Sequence, residues 1–538
     1  MSTGDARTFD DDVYANIVAL RKSTHTHIIG GSRSGKSKFI EWLIRNDIAE
    51  RQPFCIIDWH GTLYRDVLQY LAYARPRREF VLLNPAVPDF ITGFNPFMGS
   101  GQDISAMVAR RVAAVARAWG VADTNEMPTF ERLATMVFDF TARTREPLPN
   151  GALLLRRHKK ELRQYALRVI TDSHMREEWW DVIETAKRPR DWHFEVLAVR
   201  NRFMRLLRST GIRRFMGLKT GNLDIRQALE GGKNVLVNLA NTDLLDRQAA
   251  GVFAALFLNE FFEAAMNRAG TDKLYTLYLD EFQEYITPDL GDMLDQVLKG
   301  GLHVVLAHHH LGQLKEDARL RKSISQNARM RFVFGMGDFE DAAYLANEMF
   351  LGEINQRQVE EEYWHPAAKM RVETGYSHSV SEGGDNTITT TSSHDMLIPE
   401  YDLVKSGASV TSHPEKVSRA AERLINVEQR GCFGKLDKAK TARFEVPVLD
   451  TYYVTAERLA ARERELYEKQ GARPAAEVDR LLEESEREFI RTANAAVKDD
   501  KQEFVTRKRL DGKRTDSRMK PHGHRNGRDD EDTQVPVR

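Results

Sequence analysis

Cysteine and net charge are both scarce in this chain of 538 residues, and each shortage excludes a class of protein. Only two cysteines occur, Cys55 and Cys432, too few for a disulfide framework, and Cys55 lies in an apolar stretch typical of a buried strand. The 79 basic residues balance the 79 acidic residues, so no overall field marks a nucleic-acid-binding protein. A reducing compartment fits this composition, and any basic binding surface must be local.

Long apolar runs and N-terminal targeting signals are also missing. The longest apolar run without a charge, 249–258, is too short to cross a bilayer, and no secretory signal pattern begins the chain. With 41% hydrophobic residues, the chain can still bury the cores of about two to four domains. We therefore expect a soluble cytoplasmic protein without direct membrane insertion.

A glycine-rich stretch, residues 30–37, reads G-G-S-R-S-G-K-S and matches the phosphate-binding loop pattern G-x-x-x-x-G-K-[ST]. The residues before it predict a strand, and residues 36–48 predict a helix whose N-terminal dipole favours the same anion. Lys36 then reaches the β- and γ-phosphates of ATP or GTP, and the Ser37 hydroxyl binds Mg²⁺. The predicted nucleotide-binding residues are Gly30, Gly31, Ser32, Arg33, Ser34, Gly35, Lys36 and Ser37.

Two adjacent acids far downstream complete the predicted site. Asp280 and Glu281 follow the apolar run 274–279, which predicts a buried strand that ends at the acids. We expect Asp280 to hold Mg²⁺ through its water shell, and Glu281, on the other face of the strand's end, to polarise the attacking water. Because adjacent acids are common on protein surfaces, this prediction depends on their pairing with the loop at 30–37.

The order of strand and helix patterns predicts an α/β fold. Strand patterns at 24–29, 54–57 and 80–83 alternate with helical lengths, residues 101–216 have only helical periodicity, and strands resume at 234–239. The nucleotide-binding sheet is therefore split by an insertion. We expect the nucleotide-binding domain in two parts, 1–100 and 226–450, an all-α insertion domain at 101–225, an exposed hairpin or mobile loop at 377–393, an amphipathic helical segment at 451–497 and a disordered charged tail at 498–538.

The predicted insertion carries a local excess of positive charge. Residues 101–230 contain 24 Lys and Arg against 16 Asp and Glu, an excess of eight basic residues. A surface that faces DNA or a protein partner has this composition, and so do ordinary solvated helix faces. Both interpretations stay open.

Further short motifs follow one another along the chain: D-W-H-G at 58–61, F-N-P-F at 94–97, the strand and Gln-Leu segment at 303–314, Q-N-A-R-M-R-F at 326–332 and Asp341 with Ala342. In this order they resemble the motifs of the FtsK/HerA superfamily of hexameric DNA-pumping ATPases. The match is to the cytosolic ATPase part of type IV secretion coupling proteins of the TraG/TraD type, and it spans about residues 20–350. The resemblance implies a RecA-like P-loop NTPase fold with a mostly parallel sheet, an all-α insertion, and ATP and Mg²⁺ as cofactors.

The same resemblance assigns candidate residues around the phosphates. His309 stands where the family has a sensor glutamine, within three consecutive histidines whose alternating directions disfavour a metal site. The family often has an arginine where this chain has Leu298, so Arg329 or Arg331 is expected to supply the positive charge to a neighbouring subunit's nucleotide. An ordinary ion pair is the alternative for both arginines.

The resemblance implies an ATP-driven DNA translocase that forms a ring, expected to be a hexamer, in conjugative transfer or mobile-element DNA processing. Contacts with DNA would be made to phosphates and not to base edges. A relaxase, a nuclease or a membrane secretion apparatus are the expected partners, the last by recruitment to the inner membrane. The alternatives are a HerA-like DNA-processing or defence ATPase, a secretion ATPase without DNA, and a nucleotide-gated assembly protein.

Overall fold

The computed structural model describes residues 7–97, 103–120, 127–268, 270–285, 290–314, 318–355, 359–383 and 386–515. The strands are β1 (Arg7–Thr8), β2 (Thr26–Ile29), β3 (Phe54–Asp58), β4 (Phe80–Leu83), β5 (Phe90–Ile91), β6 (Asn234–Asn238), β7 (Tyr275–Leu279), β8 (Leu302–His308), β9 (Met330–Phe334), β10 (Val359–Gly383), β11 (Asn386–Val410), β12 (Gly431–Leu436), β13 (Ala442–Glu445) and β14 (Arg473–Pro474).

The helices alternate with these strands or fill the insertion. They are α1 (Asp11–Leu20), α2 (Lys36–Ala49), α3 (Thr62–Ala74), α4 (Ile104–Ala118), α5 (Pro128–Thr144), α6 (Leu148–Ala152), α7 (Lys160–Val169), α8 (Ser173–Lys187), α9 (Pro189–Glu195), α10 (Leu197–Arg208), α11 (Thr210–Phe215), α12 (Ile225–Gly231), α13 (Arg247–Met266), α14 (Leu290–Lys299), α15 (Ala318–Asn327), α16 (Phe339–Met349), α17 (Leu351–Ile354), α18 (His413–Ile425), α19 (Ala456–Lys469) and α20 (Ala475–Thr515).

The central sheet is mostly parallel, as the sequence predicts. Its strand order is β1-β13-β12-β9-β2-β8-β7-β3-β6-β4, and every neighbouring pair from β9 to β4 runs parallel. The strands of this parallel part are buried along their whole length, as expected when helices cover both faces of a sheet. Strands β12 and β13 extend the sheet antiparallel beyond β9.

Strand β8 lies between β2, which leads into the glycine-rich loop, and β7, which leads into the two acids. Neighbouring strands are about 4.8 Å apart, so the loop and the acids are separated by about two strand spacings at the carboxyl edge of the sheet. The residues that follow β8 therefore come between them. This strand order decides the geometry of the site.

The insertion is all-helical in the described residues: α4 to α12 occupy 104–231, close to the expected 101–225. It is fixed to the sheet domain through α4 and α13. The buried Arg111 donates to Glu263 at 2.7 Å and also contacts Glu260, while Arg110 donates to Glu263 at 2.7 Å. Since buried charges are costly unless paired, this cluster defines how the insertion docks.

Helix α13 contains the longest apolar run of the sequence. Among the described residues it is the one helix long and apolar enough to cross a bilayer by length and composition, and 89% of its most apolar window is buried inside the protein. Its phenylalanines pack against the sheet and against α4. The apolar composition of α13 is that of a core helix.

Beyond α17 the chain leaves the sheet and forms a two-stranded antiparallel ribbon from β10 and β11. The hairpin expected at 377–393 is the outer part of this ribbon. Helices α19 and α20 follow the last sheet strand, and α20 continues to Thr515, where the sequence predicts a disordered tail from residue 498. The disordered tail stays a prediction. Glu, Lys, Arg and Gln are good helix formers, and a low apolar content therefore does not stop the helix. Residues 516–538 lie outside the described residues.

Strand β4, at one edge of the sheet, pairs with a side chain on its outer side. The Leu82 N–H donates to Oε1 of Gln470 at 2.7 Å, and the Leu82 carbonyl accepts from Nε2 of Gln470 at 2.9 Å. The same Nε2 donates to the Thr92 hydroxyl at 2.9 Å. One side-chain amide thus makes the two hydrogen bonds that a further strand would make at Leu82.

Candidate nucleotide site

The glycine-rich loop joins the end of β2 to the start of α2, and two of its glycines are required by the space around them. A Cβ added at Gly30 would lie 2.5 Å from Cβ of Phe334, which no packing allows. Gly35 has a φ of +117°, a conformation that side chains rarely adopt, and an added Cβ would lie 3.0 Å from Cα of Arg430. The loop is therefore pressed against the end of β9 and the segment before β12.

Backbone hydrogen bonds from the same two segments fix the loop. The Gly31 N–H donates to the Gly335 carbonyl at 2.8 Å, and the Arg430 N–H donates to the Ser34 carbonyl at 2.8 Å. Nε2 of Gln429 donates to the Arg33 carbonyl at 3.3 Å. Sequence reasoning missed this support, because Gln429 and Arg430 lie almost 400 residues from the loop and carry no motif.

The polar atoms inside the loop suit a phosphate group. Lys36 is buried, and its Nζ donates to the carbonyls of Gly30 at 2.6 Å and Gly31 at 3.1 Å. Burial lowers the pKa of Lys36, against the opposing effect of Glu281 and Asp280. The Ser34 hydroxyl is buried without a hydrogen-bond partner in the described part of the chain. An ammonium group that forms no ion pair with the described residues and an unpaired hydroxyl are groups that a phosphate satisfies.

Asp280, directly after β7, is a buried acid that forms no ion pair with the described residues, although the charge of Lys36 favours its ionised form. Burial, followed by the charges of Asp58 and Glu281, raises the pKa of Asp280 to about 8. Asp58 ends β3, where it accepts from the N–H groups of Tyr64 at 2.7 Å and His60 at 3.0 Å, and burial raises its pKa as well. Carboxylates of this kind favour a divalent cation nearby.

A cation here needs ligands beyond the protein. Among the described residues, no group of three or more His, Cys, Asp or Glu side chains is arranged to hold a metal ion. Asp280 and the Ser37 hydroxyl therefore fit Mg²⁺ only together with phosphate oxygens and water, which is how Mg²⁺ is bound in nucleotide sites. The donor set fits the Mg²⁺ of a nucleotide and not a resident metal.

Glu281, His309 and Lys36 form a continuous hydrogen-bonded chain across the site. Nζ of Lys36 donates to Nδ1 of His309 at 3.0 Å, and Nε2 of His309 lies 2.8 Å from Oε1 of Glu281. Since Nδ1 accepts from an ammonium group, this network assigns the imidazole proton to Nε2, which donates to Glu281. The residue after β8 thus bridges the loop and the acid, as the strand order requires.

Glu281 is held as an ionised base. Burial alone would raise its pKa, but hydrogen bonds from His309 and from Gln283, at 2.7 Å to Oε2, outweigh burial and lower it. Glu281 also has a φ of +51°, in the left-handed region, which costs free energy for a residue other than glycine. Gln283 was not predicted, although it follows the acids by two residues.

The three consecutive histidines have three different environments. His308 is buried, its Nε2 lies 2.7 Å from Nε2 of His27, and burial lowers its pKa to about 3. Oε1 of Gln313 accepts from the N–H groups of His309 at 3.0 Å and His310 at 3.1 Å. Gln313, in the Gln-Leu segment, therefore positions the backbone that carries His309.

The two predicted arginines each form an ion pair within this chain. Arg331 is buried in an ion pair with Glu348 at 2.8 Å and also contacts Ser325. This ion pair is the alternative interpretation for Arg331, and its role toward a neighbouring subunit stays a prediction. Arg329 is half exposed and pairs with Asp437 at 2.6 Å, so it stays the candidate for that role.

A strand, a glycine-rich loop and a helix beside buried acids at the carboxyl edge of a parallel sheet define the P-loop NTPase fold. Solved structures with this fold include the plasmid coupling protein TrwB with ADP and Mg²⁺, at a TM-score of 0.50 and 14% identity, with 84% of this chain and 91% of that chain covered. TrwB with the GTP analogue GDPNP matches at a TM-score of 0.50 and 13% identity, with 82% of this chain and 88% of that chain covered. VirB4 of Thermoanaerobacter pseudethanolicus matches at a TM-score of 0.45 and 10% identity, with 80% of this chain and 91% of that chain covered.

The likeness to TrwB confirms the fold that the sequence motifs predict. A scan against protein-family models gives no match, and a search of the curated proteins gives none either. At 13–14% identity, the similarity to TrwB shows a shared arrangement of strands and helices. The chemistry of the site is argued from the residues of this chain.

Proposed function

We propose that this chain is an ATPase that uses the loop at 30–37 and the acids after β7 for one hydrolytic reaction. The observation that carries the proposal is the chain Lys36–His309–Glu281, which joins the phosphate-binding lysine to an ionised carboxylate. A structural cluster has no need for a buried lysine, a strained glutamate and a neighbouring acid of raised pKa in one place. Such perturbed groups concentrate at functional sites.

ATP and Mg²⁺ are the proposed cofactors. The loop N–H groups and Lys36 hold the phosphates, while Ser37 and Asp280 hold Mg²⁺. Mg²⁺, when bound, neutralises the negative charge that develops on the phosphate oxygens during transfer. Because the pKa of Asp280 is raised to about 8, Asp280 gives up a proton when the cation binds near neutral pH. The TrwB structure with ADP and Mg²⁺ supports this choice.

Glu281 is the proposed general base. Its lowered pKa keeps it ionised at neutral pH, so it can take a proton from a water molecule that approaches the phosphate. His309 and Gln283 hold the two carboxylate oxygens and are positioning residues. Lys36 must leave the loop carbonyls and His309 to contact a phosphate, and His309 is then free to contact water or phosphate.

We propose DNA as the substrate that ATP hydrolysis moves. The coupling-protein fold supports this, as does the basic excess of residues 101–230. Copies of the chain would assemble in the cytoplasm as a ring, with Arg329 as the candidate for completing a neighbour's site. The expected partners are a relaxase, a nuclease or a membrane secretion apparatus.

The test is ATP turnover by the purified chain with and without DNA, at low and at high salt. We expect DNA to stimulate turnover, and the stimulation to disappear at high salt because phosphate contacts release counterions. The variant Lys36→Ala is the control for contaminating ATPases. Turnover that ignores DNA at every salt concentration would exclude the translocase and leave a secretion ATPase or an assembly protein.

A further inference from the structure

The ribbon formed by β10 and β11 has one apolar face and one charged face. Residues paired across the two strands lie on the same face, and successive residues of each strand alternate between the faces. The apolar face carries side chains that are between 53% and 70% exposed: Trp364, Met370, Tyr376, Leu397, Tyr401 and Leu403. On the opposite face Lys369 is paired with Glu400 across the strands, and Arg371 contacts Glu373 at 3.4 Å. This sorting is typical of a sheet with one solvated face and one covered face.

Charge on the apolar face is confined to the ends of its central part. Oδ1 of Asp395 accepts from the Thr374 hydroxyl at 2.8 Å at one end, and Lys405 forms an ion pair with Glu362 at the other. Between these ends, residues 366–372 and 397–403 place only uncharged side chains on this face. The middle of the face can therefore be buried without removing a charge from water.

The charge of the whole ribbon argues against an anionic occupant of this face. Residues 359–410 contain nine acidic residues against three basic residues. Anionic lipid surfaces and nucleic acids attract basic segments and repel acidic ones. The occupant that suits the ribbon is therefore an apolar protein surface.

The same face of a second copy has the area that stable association needs. At these exposures, the three aromatic and three aliphatic side chains, together with Val372, present roughly 800 Å² on each copy. Two copies packed face to face then bury about 1,600 Å², which is the size of a standard stable protein interface. Since a lone two-stranded ribbon is marginally stable in water, a second layer also supplies the cover that each ribbon lacks.

We propose that the apolar face of the ribbon is a contact between two copies of this chain. The face meets itself, so the contact is isologous and has a two-fold axis. Val372 lies midway between Trp364 and Val380, the first and last exposed apolar residues of β10 on this face. The axis therefore passes close to Val372, and the two Val372 side chains face each other. This contact is separate from the head-to-tail contacts of the proposed ring and does not require the nucleotide site.

The test is disulfide formation between copies that carry one new cysteine. The native thiols of Cys55 and Cys432 are buried, so the new thiol is the one that an oxidant reaches. Val372→Cys lies on the apolar face and Arg371→Cys on the opposite face, and the native side chains are similarly exposed, at 58% and 60%. With oxidised glutathione and micromolar protein, we expect Val372→Cys to form a covalent dimer at least about tenfold faster than Arg371→Cys, because paired thiols have a higher effective concentration.

Sedimentation velocity measures the same contact without a new covalent bond. Val372→Glu places a carboxylate in the contact from each copy and should weaken pairing at least about a hundredfold, because burial of an unpaired charge is costly. Arg371→Gln makes the same change of charge on the opposite face and should keep pairing. Replacement of 359–410 by a short Gly-Ser linker should abolish pairing while ADP binding is retained, which separates this contact from the nucleotide site.

Four results would overturn the proposal. Equal rates of disulfide formation for Val372→Cys and Arg371→Cys would mean that the ribbons collide at random. A Val372→Cys thiol that is protected from a soluble maleimide but forms no disulfide would mean that the chain's own surface covers the face. Unchanged sedimentation of Val372→Glu would place any contact between copies elsewhere. A monomeric wild-type chain that binds vesicles of neutral lipid, with binding lost in Val372→Glu, would assign the face to lipid.

Discussion

The parallel sheet and the two-stranded ribbon are both β-structure, yet they differ in almost every physical respect. All residues of β8 are buried, whereas Trp364 and Tyr401 of the ribbon are 53% and 67% exposed. The sheet strands are short and packed between helices, while β10 and β11 run for 25 residues each and pack chiefly against each other. A lone two-stranded ribbon is marginally stable in water.

Alternation in the sequence therefore predicts a strand but not its surroundings. In the ribbon, Pro366, Met370 and Val372 share one face with Leu397 and Leu403 across the pair. These apolar side chains are nevertheless exposed. In the sheet, by contrast, Asp58 ends β3, Asp280 directly follows β7 and His309 directly follows β8. We conclude that folding stability and the nucleotide site both depend on the sheet.

The largest expected effect follows from removal of the proposed general base, Glu281, at the carboxyl edge of the sheet. Glu281→Gln should lower ATP turnover by about 10² to 10⁴-fold, because a positioned base contributes about that much, while ADP binding is kept. Single-turnover kinetics and calorimetry measure the two quantities. Glu284→Gln, an exposed neighbour, should leave both unchanged. Normal turnover in Glu281→Gln would remove Glu281 from the mechanism.

The next effect concerns pH and the buried acid at the same edge. The pKa of Asp280 in the folded chain is about 8, above its ordinary value of 3.8. At a pH between these two pKa values, the folded chain therefore holds a proton that the unfolded chain releases. The free energy of unfolding of the nucleotide-free protein should therefore decrease as pH rises from about 4 to 8.

Asp280→Asn should remove that part of the pH dependence in urea unfolding curves measured without Mg²⁺. Asp243→Asn, a substitution of an exposed residue, should retain it. Identical pH profiles for wild type and Asp280→Asn would show that Asp280 is ionised throughout, and the proposed proton release on cation binding would then be wrong.

A smaller effect distinguishes a buried arginine of the sheet from an exposed one. Arg331→Ala leaves Glu348 without its partner and should cost about 3 kcal/mol of unfolding free energy, whereas Arg329→Ala should cost about 1 kcal/mol or less. Denaturant midpoints measure both. Only Arg329→Ala should lower turnover at protein concentrations that allow assembly while leaving the fold intact. Equal stability losses would contradict the difference in burial.

The smallest effect is expected in the ribbon. Val359 and Val410 are paired at its base, so a short Gly-Ser linker can replace 359–410 without moving α17 or α18. We expect the unfolding midpoint and the dissociation constant of ADP to change little, because the ribbon strands pack chiefly against each other. A large loss of either property would show that the ribbon supports the sheet.

The parts of the site that the sequence predicts are local. The loop needs Gly30 and Gly35 at fixed spacing and Lys36 at a helix start, and all three signals lie within eight residues. Asp280 and Glu281 are identified by the apolar strand before them. The contact of His309 with Lys36 depends instead on β8 lying between β2 and β7, and strand order is not encoded in any short stretch.

Long-range contacts explain the features of the structure that the sequence does not indicate. Nothing near Arg331 in the sequence indicates that Glu348, on α16, neutralises it, and nothing near the loop points to Gln429 or Arg430. Likewise, the charge-rich stretch after residue 498 has the composition of a disordered tail, but its helix-forming residues allow α20 to continue to Thr515. Composition alone cannot distinguish these two states.

The amide of Gln470 on β4 has a consequence for how copies of this chain can meet. An open sheet edge is a template on which a foreign strand can add, and this edge is already occupied at Leu82. The opposite edge is β1, a strand of two residues, too short to offer a comparable ladder. Growth of the sheet from one molecule into the next is thereby discouraged on both sides. Contacts between copies at these two edges of the central sheet are then made through side chains and loops, which can slide and re-form as a shared sheet cannot.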